Sequence, residues 1–358
     1  MPRLPHIGAL QLLLRQWQLL TLAPISYARG RGARCSRLVT TSAAIKWLIL
    51  LALSPLLLQQ SVSLYEATNV QHSSLFRHIA LGTMAGDLGI SLALLGAHLW
   101  QRQRLAKLIN SLVKLQQRVG LGWCATLLLW AKMLLSLYEL LCNVPFLQQN
   151  AARLPWLQLL AYSVQLYVQH VSSVFGNGIF GALLLLLTHI RQLQHELQVQ
   201  RCWQREQHLL RIFEQFVSVF QPGMLLLVLG SFINILANMY AYMSYFVAQH
   251  GVPLTISNYC LIVAIQLYAL ILVAYVCQLQ HQRLRSRCLE LYYVPATMNA
   301  QQAALPTKTL SWPLLKPHLK FSILGLFELD NAFWLFLVSY AVNFIVIILQ
   351  FTLENMKR

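Results

Sequence analysis

Acidic residues are the scarcest chemistry in this chain: its 358 residues carry ten Asp and Glu against 27 Lys and Arg. Charged residues of either sign make up only 10%, while 57% are hydrophobic, which is too little polar surface to cover soluble domains of this length. The seven cysteines form no CxxC pair and no metal-ligand spacing, so neither a zinc module nor a disulfide scaffold is expected. Histidine clusters are also lacking. The stretch HIRQLQHEL offers only His189 and His195, which excludes the dense ligand sets of membrane desaturases. Serine elbows, phosphate loops and Asn-x-Ser/Thr acceptors are absent as well. No enzyme, no catalytic residue, no metal and no cofactor is expected.

Long apolar runs are what the chain has instead. Seven reach the roughly 20 residues needed to cross about 30 Å of hydrocarbon. They cover residues 43–63, 78–99, 121–142, 156–188, 216–247, 256–278 and 333–352. The fold class is therefore all-α, a polytopic membrane protein with seven transmembrane helices. The fourth and fifth runs exceed one span, so those helices either tilt or continue beyond the bilayer.

The net charge of +17 is spread, not clustered, which argues against a nucleic-acid-binding face. Outside the spans, alternate segments carry 21 and 4 basic residues. The positive-inside rule then places the N-terminus and the long 280–332 loop in the cytosol, and seven spans leave the C-terminus outside the cell. The opening MPRLPHIGALQLLLRQWQLLTLA has the outline of a signal peptide. Gln11, Arg15, Gln16 and Gln18 interrupt it, favouring an amphipathic helix lying against the membrane or the bundle. Of the cysteines, only Cys142 and Cys260 fall near outer ends of spans; they are either bridged or, with the rest, isolated thiols packed as small apolar residues.

Four segments follow: a cytosolic N-terminal stretch (1–42), a six-helix bundle (43–278), a cytosolic loop with an anchor helix (279–332), and the last helix with a short external tail (333–358). Residues 99–119 hold no Gly or Pro and space their apolar residues helically, as do residues 188–220. Helices extended into the cytosol are thus expected. They form either a solvated hairpin or a collar packed against neighbouring subunits.

The last span, VSYAVNFIVIILQF (338–351), carries Asn343 and Gln350 seven residues apart, with Ile347 between them on one helical face. An unpaired amide in hydrocarbon costs several kcal/mol, so this face meets protein or water. Either the amides bond a neighbouring helix, or copies of the helix surround an ion path. In the second case Gln350 supplies a ring of dipoles, Ile347 and Phe351 supply apolar collars, and Glu354 stands at the outer mouth. Charges within spans are the second signal, since ionised groups at depth are rare and usually functional. Asp87, Lys132 and Glu139 qualify, as does His170. With Tyr138, Tyr162, Tyr167, Tyr242, Tyr245 and Tyr259 they form a candidate ligand pocket, mostly toward the outer half, whose aromatic content favours a mostly apolar molecule. The competing reading has Asp87 and Lys132 pairing and the tyrosines marking membrane interfaces.

Seven spans also invite a G-protein-coupled receptor. The charge count opposes its external N-terminus, and neither Asp-Arg-Tyr after the third span nor Asn-Pro-x-x-Tyr in the seventh occurs. A membrane transporter with inverted repeats would show matching halves, and none is visible.

The C-terminal stretch resembles the insect gustatory receptor family, whose last span carries Thr-Tyr, five apolar residues and Gln-Phe. Here Ile345–Leu349 are the five, Gln350 and Phe351 match, and Asn343 and Phe344 stand at the Thr-Tyr positions. FSILGLFELDNAF (321–333) is similar to the Gly-Leu-Phe stretch before that span, and LLRQWQLLTLAPISY (13–27) to the family's cytosolic opening. The resemblance implies a tetrameric, ligand-gated, non-selective cation channel in the plasma membrane of chemosensory neurons. Its last helix would line the pore, through Asn343, Phe344, Ile347, Gln350, Phe351 and Glu354. Six other helices would bind a small-molecule tastant. The implied partners are that tastant, permeating cations, membrane lipids and other receptor subunits.

Overall fold

The computed structural model describes residues 6–28, 32–68, 74–145, 148, 154–195, 199–247, 254–293 and 319–356, apart from some side chains at helix ends. The helices that build the fold are α1 (His6–Leu19), α2 (Arg37–Thr68), α3 (Ser74–Trp100), α4 (Arg102–Val119), α5 (Trp123–Leu141), α6 (Trp156–Gln194), α7 (Val199–Val247), α8 (Leu254–Tyr293) and α9 (Asn331–Met356). All except α1 and α4 are long and apolar enough to cross a membrane, matching the seven apolar runs.

The apolar pattern decides which helix sits where. In α6, every residue from Val171 to Leu187 except the buried Asn177 is apolar, Ser or Gly, and 83% of its apolar stretch is buried, against 11% in α2 and α9. A helix apolar all round belongs in the middle. Accordingly α6 packs on α2, α3, α5, α7 and α8, with α1 and α4 also against it, while α9 packs mainly on α7 and α8.

Three helices outrun the bilayer. At 1.5 Å per residue, the 39 residues of α6, 49 of α7 and 40 of α8 give about 58, 73 and 60 Å, well beyond 30 Å of hydrocarbon. The first two extensions follow the sequence pattern. The third replaces part of the expected 279–332 loop, since α8 continues as helix to Tyr293. Residues 294–318 lie outside the described residues, and with them much of the expected anchor helix. The described remainder is a hairpin, β3 (Ser322–Ile323) with β4 (Phe327–Glu328), turned at Leu324 and Gly325. Phe321 meets Phe213 at 4.8 Å, and Gln221 Nε2 donates to the Ser322 carbonyl at 2.9 Å, so the hairpin is seated on α7.

The basic stretch 99–119 is a separate helix, α4, broken from α3 at Gln101 and from α5 at Gly120, whose φ of +68° suits glycine. A small hairpin, β1 (Ser26–Ala28) with β2 (Gly32–Arg34), is held to α4 by Asn110. Its Oδ1 accepts from the Ala33 N–H at 2.7 Å and its Nδ2 donates to the Ala33 carbonyl at 2.9 Å.

The N-terminal helix is amphipathic and lies against the bundle, as expected, with Leu12, Arg15 and Leu19 exposed on its outer side. Ala9, Leu13 and Trp17 are buried. The Trp17 indole donates to the Val174 carbonyl at 2.9 Å and lies against His98, Phe175 and Phe220. Gly178 makes the room, for a Cβ there would stand 1.9 Å from the Trp17 ring.

Candidate functional site

Three of the charged residues expected in the pocket converge in the middle of the bundle. Asp87 is on α3, Lys132 and Glu139 are on α5, and all three are buried. Asp87 and Lys132 lie near the middle of their helices and Glu139 within the last turn of α5. Buried charge has to be answered by partners, and here the answer is a ring of neutral amides. Asn234 Nδ2 on α7 donates to Asp87 Oδ1 at 2.7 Å, and Gln169 and Gln165 on α6 donate to its Oδ2 at 3.3 and 3.4 Å. Gln266 on α8 donates to Glu139 Oε2 at 3.0 Å and accepts from Ser173 Oγ at 3.0 Å. Lys132 Nζ donates to the Gln266 carbonyl at 3.0 Å and lies 5.5 Å from the Phe180 ring. Asp87 and Lys132 therefore do not pair with each other.

These groups line a cavity of about 50 Å³ with Tyr259, Ser172 and Ser231. That is room for a few waters and far below the several hundred Å³ of a preformed small-molecule pocket. An organic ligand larger than that has to part α3, α5, α7 and α8 as it enters. The polar groups of the cavity are carboxylates, amides and an ammonium, set beside the aliphatic side chains of Ile90, Leu226, Leu227, Val263, Leu267 and Leu270.

Most of the expected tyrosines lie elsewhere. Only Tyr259 lines the cavity. Tyr162 donates to Asn143 Oδ1 at 2.9 Å, and the hydroxyl of half-exposed Tyr138 accepts from Asn258 at 3.3 Å. Tyr167 donates to the Leu20 carbonyl at 3.2 Å, tying α6 to the end of α1 and away from the pocket. Tyr242 is exposed, and the side chain of Tyr245 lies outside the described residues. His170 borders a small recess beside Glu139. Cys142 and Cys260 are free thiols.

Sequence reasoning missed Gln266, Asn234, Gln169 and Ser173. Gln266 carried a signal, a lone amide inside LIVAIQLYALILVAY, of the same kind as Gln350. What the sequence could not supply was the meeting of Asp87 with Asn234, 147 residues away.

The last helix has two faces. Phe333, Leu337 and Ala341 are buried, and Phe344 and Ile348 continue that stripe against Tyr240 and Ala241 of α7. Phe344 therefore turns toward its own bundle, away from Asn343. On the opposite side Val342, Asn343, Val346, Ile347 and Gln350 are all exposed. The side chains of Phe351 and Glu354 lie outside the described residues.

Comparison with known proteins settles the family. The model of the 7tm chemosensory receptors matches residues 10–355. The chain belongs to this family. It is 54% identical over 361 residues to gustatory receptor 89a of Drosophila melanogaster, spanning 100% of this chain and 99% of that one. Its fold is shared with the insect olfactory receptor OR5 of Machilis hrabei. The complex of OR5 with eugenol superposes with a TM-score of 0.66 at 11% identity, covering 96% of this chain and 99% of OR5. A second OR5 structure gives 0.62 at 11% identity over 95% and 98%. This chemosensory receptor is a multi-pass membrane protein and not an enzyme.

Proposed function

We propose that this receptor is a subunit of a tetrameric, ligand-gated cation channel in the plasma membrane of chemosensory cells, with its N-terminus in the cytosol and its C-terminus outside. The observation that carries the reading is α9. It is an apolar helix packed on its own bundle along one stripe, leaving an opposite stripe that includes two amides, Asn343 and Gln350, without cover. Lipid is a poor environment for that stripe, whereas a shared axis with three other copies is a good one. Gln350 then lines the ion path, and Ile347 forms an apolar collar on its cytosolic side. The same assembly would cover the extended ends of α6, α7 and α8.

The tastant in this reading is a small polar molecule that enters among Asp87, Lys132, Glu139 and Tyr259. It trades the amide partners of the carboxylates for its own donors and parts the helices to gain space. The route to α9 is short. Asn234, the partner of Asp87, is two residues from Phe232, whose ring meets Tyr340 of α9 at 6.0 Å. Gln266, the partner of Glu139, is two residues from Tyr268, whose ring meets Trp334 of α9 at 5.1 Å. Displacing either amide moves a helix that α9 leans on.

The test is whole-cell current from cells expressing the receptor, alone and with related receptors, across a panel of polar and apolar tastants. Epitope tags at both termini are stained in the same unpermeabilised cells. Ligand-evoked cation current with only the C-terminal tag accessible supports the reading. An accessible N-terminal tag, or substrate accumulation without current, overturns it.

A further inference from the structure

The polar cavity is not the largest hollow in the protein. Between α1, α4 and α6 lies one of about 660 Å³, walled by Leu10 and Leu14, by Leu112 and Val113, and by Ala182 and Leu185. Arg118 of α4 also lines it. From Arg118 the surface continues into a concentration of cations. Arg118 and His208 both act electrostatically on His189, and Arg118, Lys114 and Arg211 on His208. The spacing explains the grouping: Lys114 and Arg118 are one turn apart on α4, and His208 and Arg211 face them from α7, which α4 contacts again through Ser111 and Gln215.

Little negative charge answers them. Neither α4 nor α6 contains an acid. On α7, Glu206 is buried and pairs with His281 at 3.4 Å, while Glu214 is exposed. Among the described residues Lys114, Arg118 and Arg211 make no ion pair, and all three are exposed. His189 adds an independent sign of a missing partner. It is 8% exposed, and neither of its ring nitrogens has a hydrogen-bond partner.

We propose that this is a binding site for an anionic phospholipid of the cytosolic leaflet, with one acyl chain in the hollow and the headgroup phosphates against Lys114, Arg118, Arg211, His208 and His189. The assignment rests on the orientation proposed above, which puts this basic end in the cytosol. A soluble phosphate would satisfy the cations and leave an apolar hollow wet, and a neutral lipid would do the reverse. A diacyl lipid bearing several phosphates answers both, because Arg118 stands where hollow and cation cluster meet. The acyl chain would lie along α1, so lipid occupancy bears on the helix that Trp17 seats against Gly178 in the central span.

The test uses full-length receptor in phosphatidylcholine nanodiscs with and without phosphatidylinositol bisphosphate, with retained lipid measured by native mass spectrometry. Retention is the readout, so the result does not depend on channel activity. The wild type should retain the phosphoinositide over phosphatidylcholine. Lys114→Gln with Arg118→Gln should weaken retention by about fivefold per cation removed, whereas Arg283→Gln, an exposed cation elsewhere, should not. Val113→Trp, which fills the hollow and keeps every cation, should also weaken it, while Arg118→Lys should keep most of it. Soluble inositol trisphosphate should compete poorly. Retention unchanged in the double variant overturns the proposal. Equal competition by inositol trisphosphate together with an unaffected Val113→Trp also overturns it, in favour of a phosphate site without a lipid.

Discussion

Gln266 joins three helices through one side chain and one carbonyl: its amide donates to Glu139 of α5 at 3.0 Å, its oxygen accepts from Ser173 of α6 at 3.0 Å, and its backbone carbonyl accepts from Lys132 at 3.0 Å. It completes the charged cluster, and its loss leaves a buried carboxylate short of a donor. Gln266→Leu should therefore destabilise the receptor by about 1–3 kcal/mol for each group left unsatisfied. The check is thermal unfolding in mild detergent. Adding Glu139→Leu should recover part of the loss, because both ends of the bond are then apolar. An unchanged midpoint in the single variant would show that the bond contributes nothing.

Asp87→Asn keeps the shape of the side chain and an oxygen for Asn234, and its new NH2 can donate to Gln169 or Gln165 once their amides turn over, so the receptor should still fold. The ligand loses a charge-assisted partner, commonly about 1.5–3 kcal/mol, and half-activation should require at least about tenfold more of it. Dose–response currents measure this. A ligand indifferent to Asp87→Asn, Glu139→Gln and Lys132→Met would place the pocket outside the polar cavity.

Much of the architecture was legible because hydrocarbon thickness is a strict constraint: an apolar run long enough to span has few alternatives, and all seven became helices. The extension of α8 to Tyr293 was not legible, since CQLQHQRLRSRCLELYY has the mixed polarity of both a loop and a solvated helix. The polar cavity was half legible. Asp87, Lys132 and Glu139 announced themselves as charges at depth, but tyrosines are welcome at many places along a span, and composition alone could not separate Tyr259 from Tyr167. The faces of α9 followed from a helical period, which put Asn343 with Gln350 and left the side taken by Phe344 to packing against Tyr240.

Tyr268→Ala removes a ring contact between α8 and α9 without touching the cavity. Ligand binding to purified receptor should persist while the maximal evoked current falls. A proportional loss of binding would show that Tyr268 acts on the pocket instead.

Gly178→Ala places a Cβ where Trp17 lies, 1.9 Å from its ring. Overpacking of this kind costs about 1–3 kcal/mol, and here it should loosen α1 and expose residues 6–19 to protease. The effects of Gly178→Ala and Trp17→Ala should be strongly non-additive, since the clash requires both partners. Simple additivity in a double-mutant cycle would mean that α1 does not depend on this seat.

The central claim, that the exposed stripe of α9 faces an ion path shared by four subunits, is tested most directly by the relative permeability of divalent and monovalent cations through Gln350→Glu. One substitution would place four carboxylates in a confined space where charge is poorly screened. Reversal potentials should shift toward divalent permeation, with the ligand concentration for half-activation changed far less, while Leu48→Ala on the exposed face of α2 leaves both unchanged. Normal surface expression with reversal potentials identical to wild type would contradict the account and make the amide stripe an adhesive between helices.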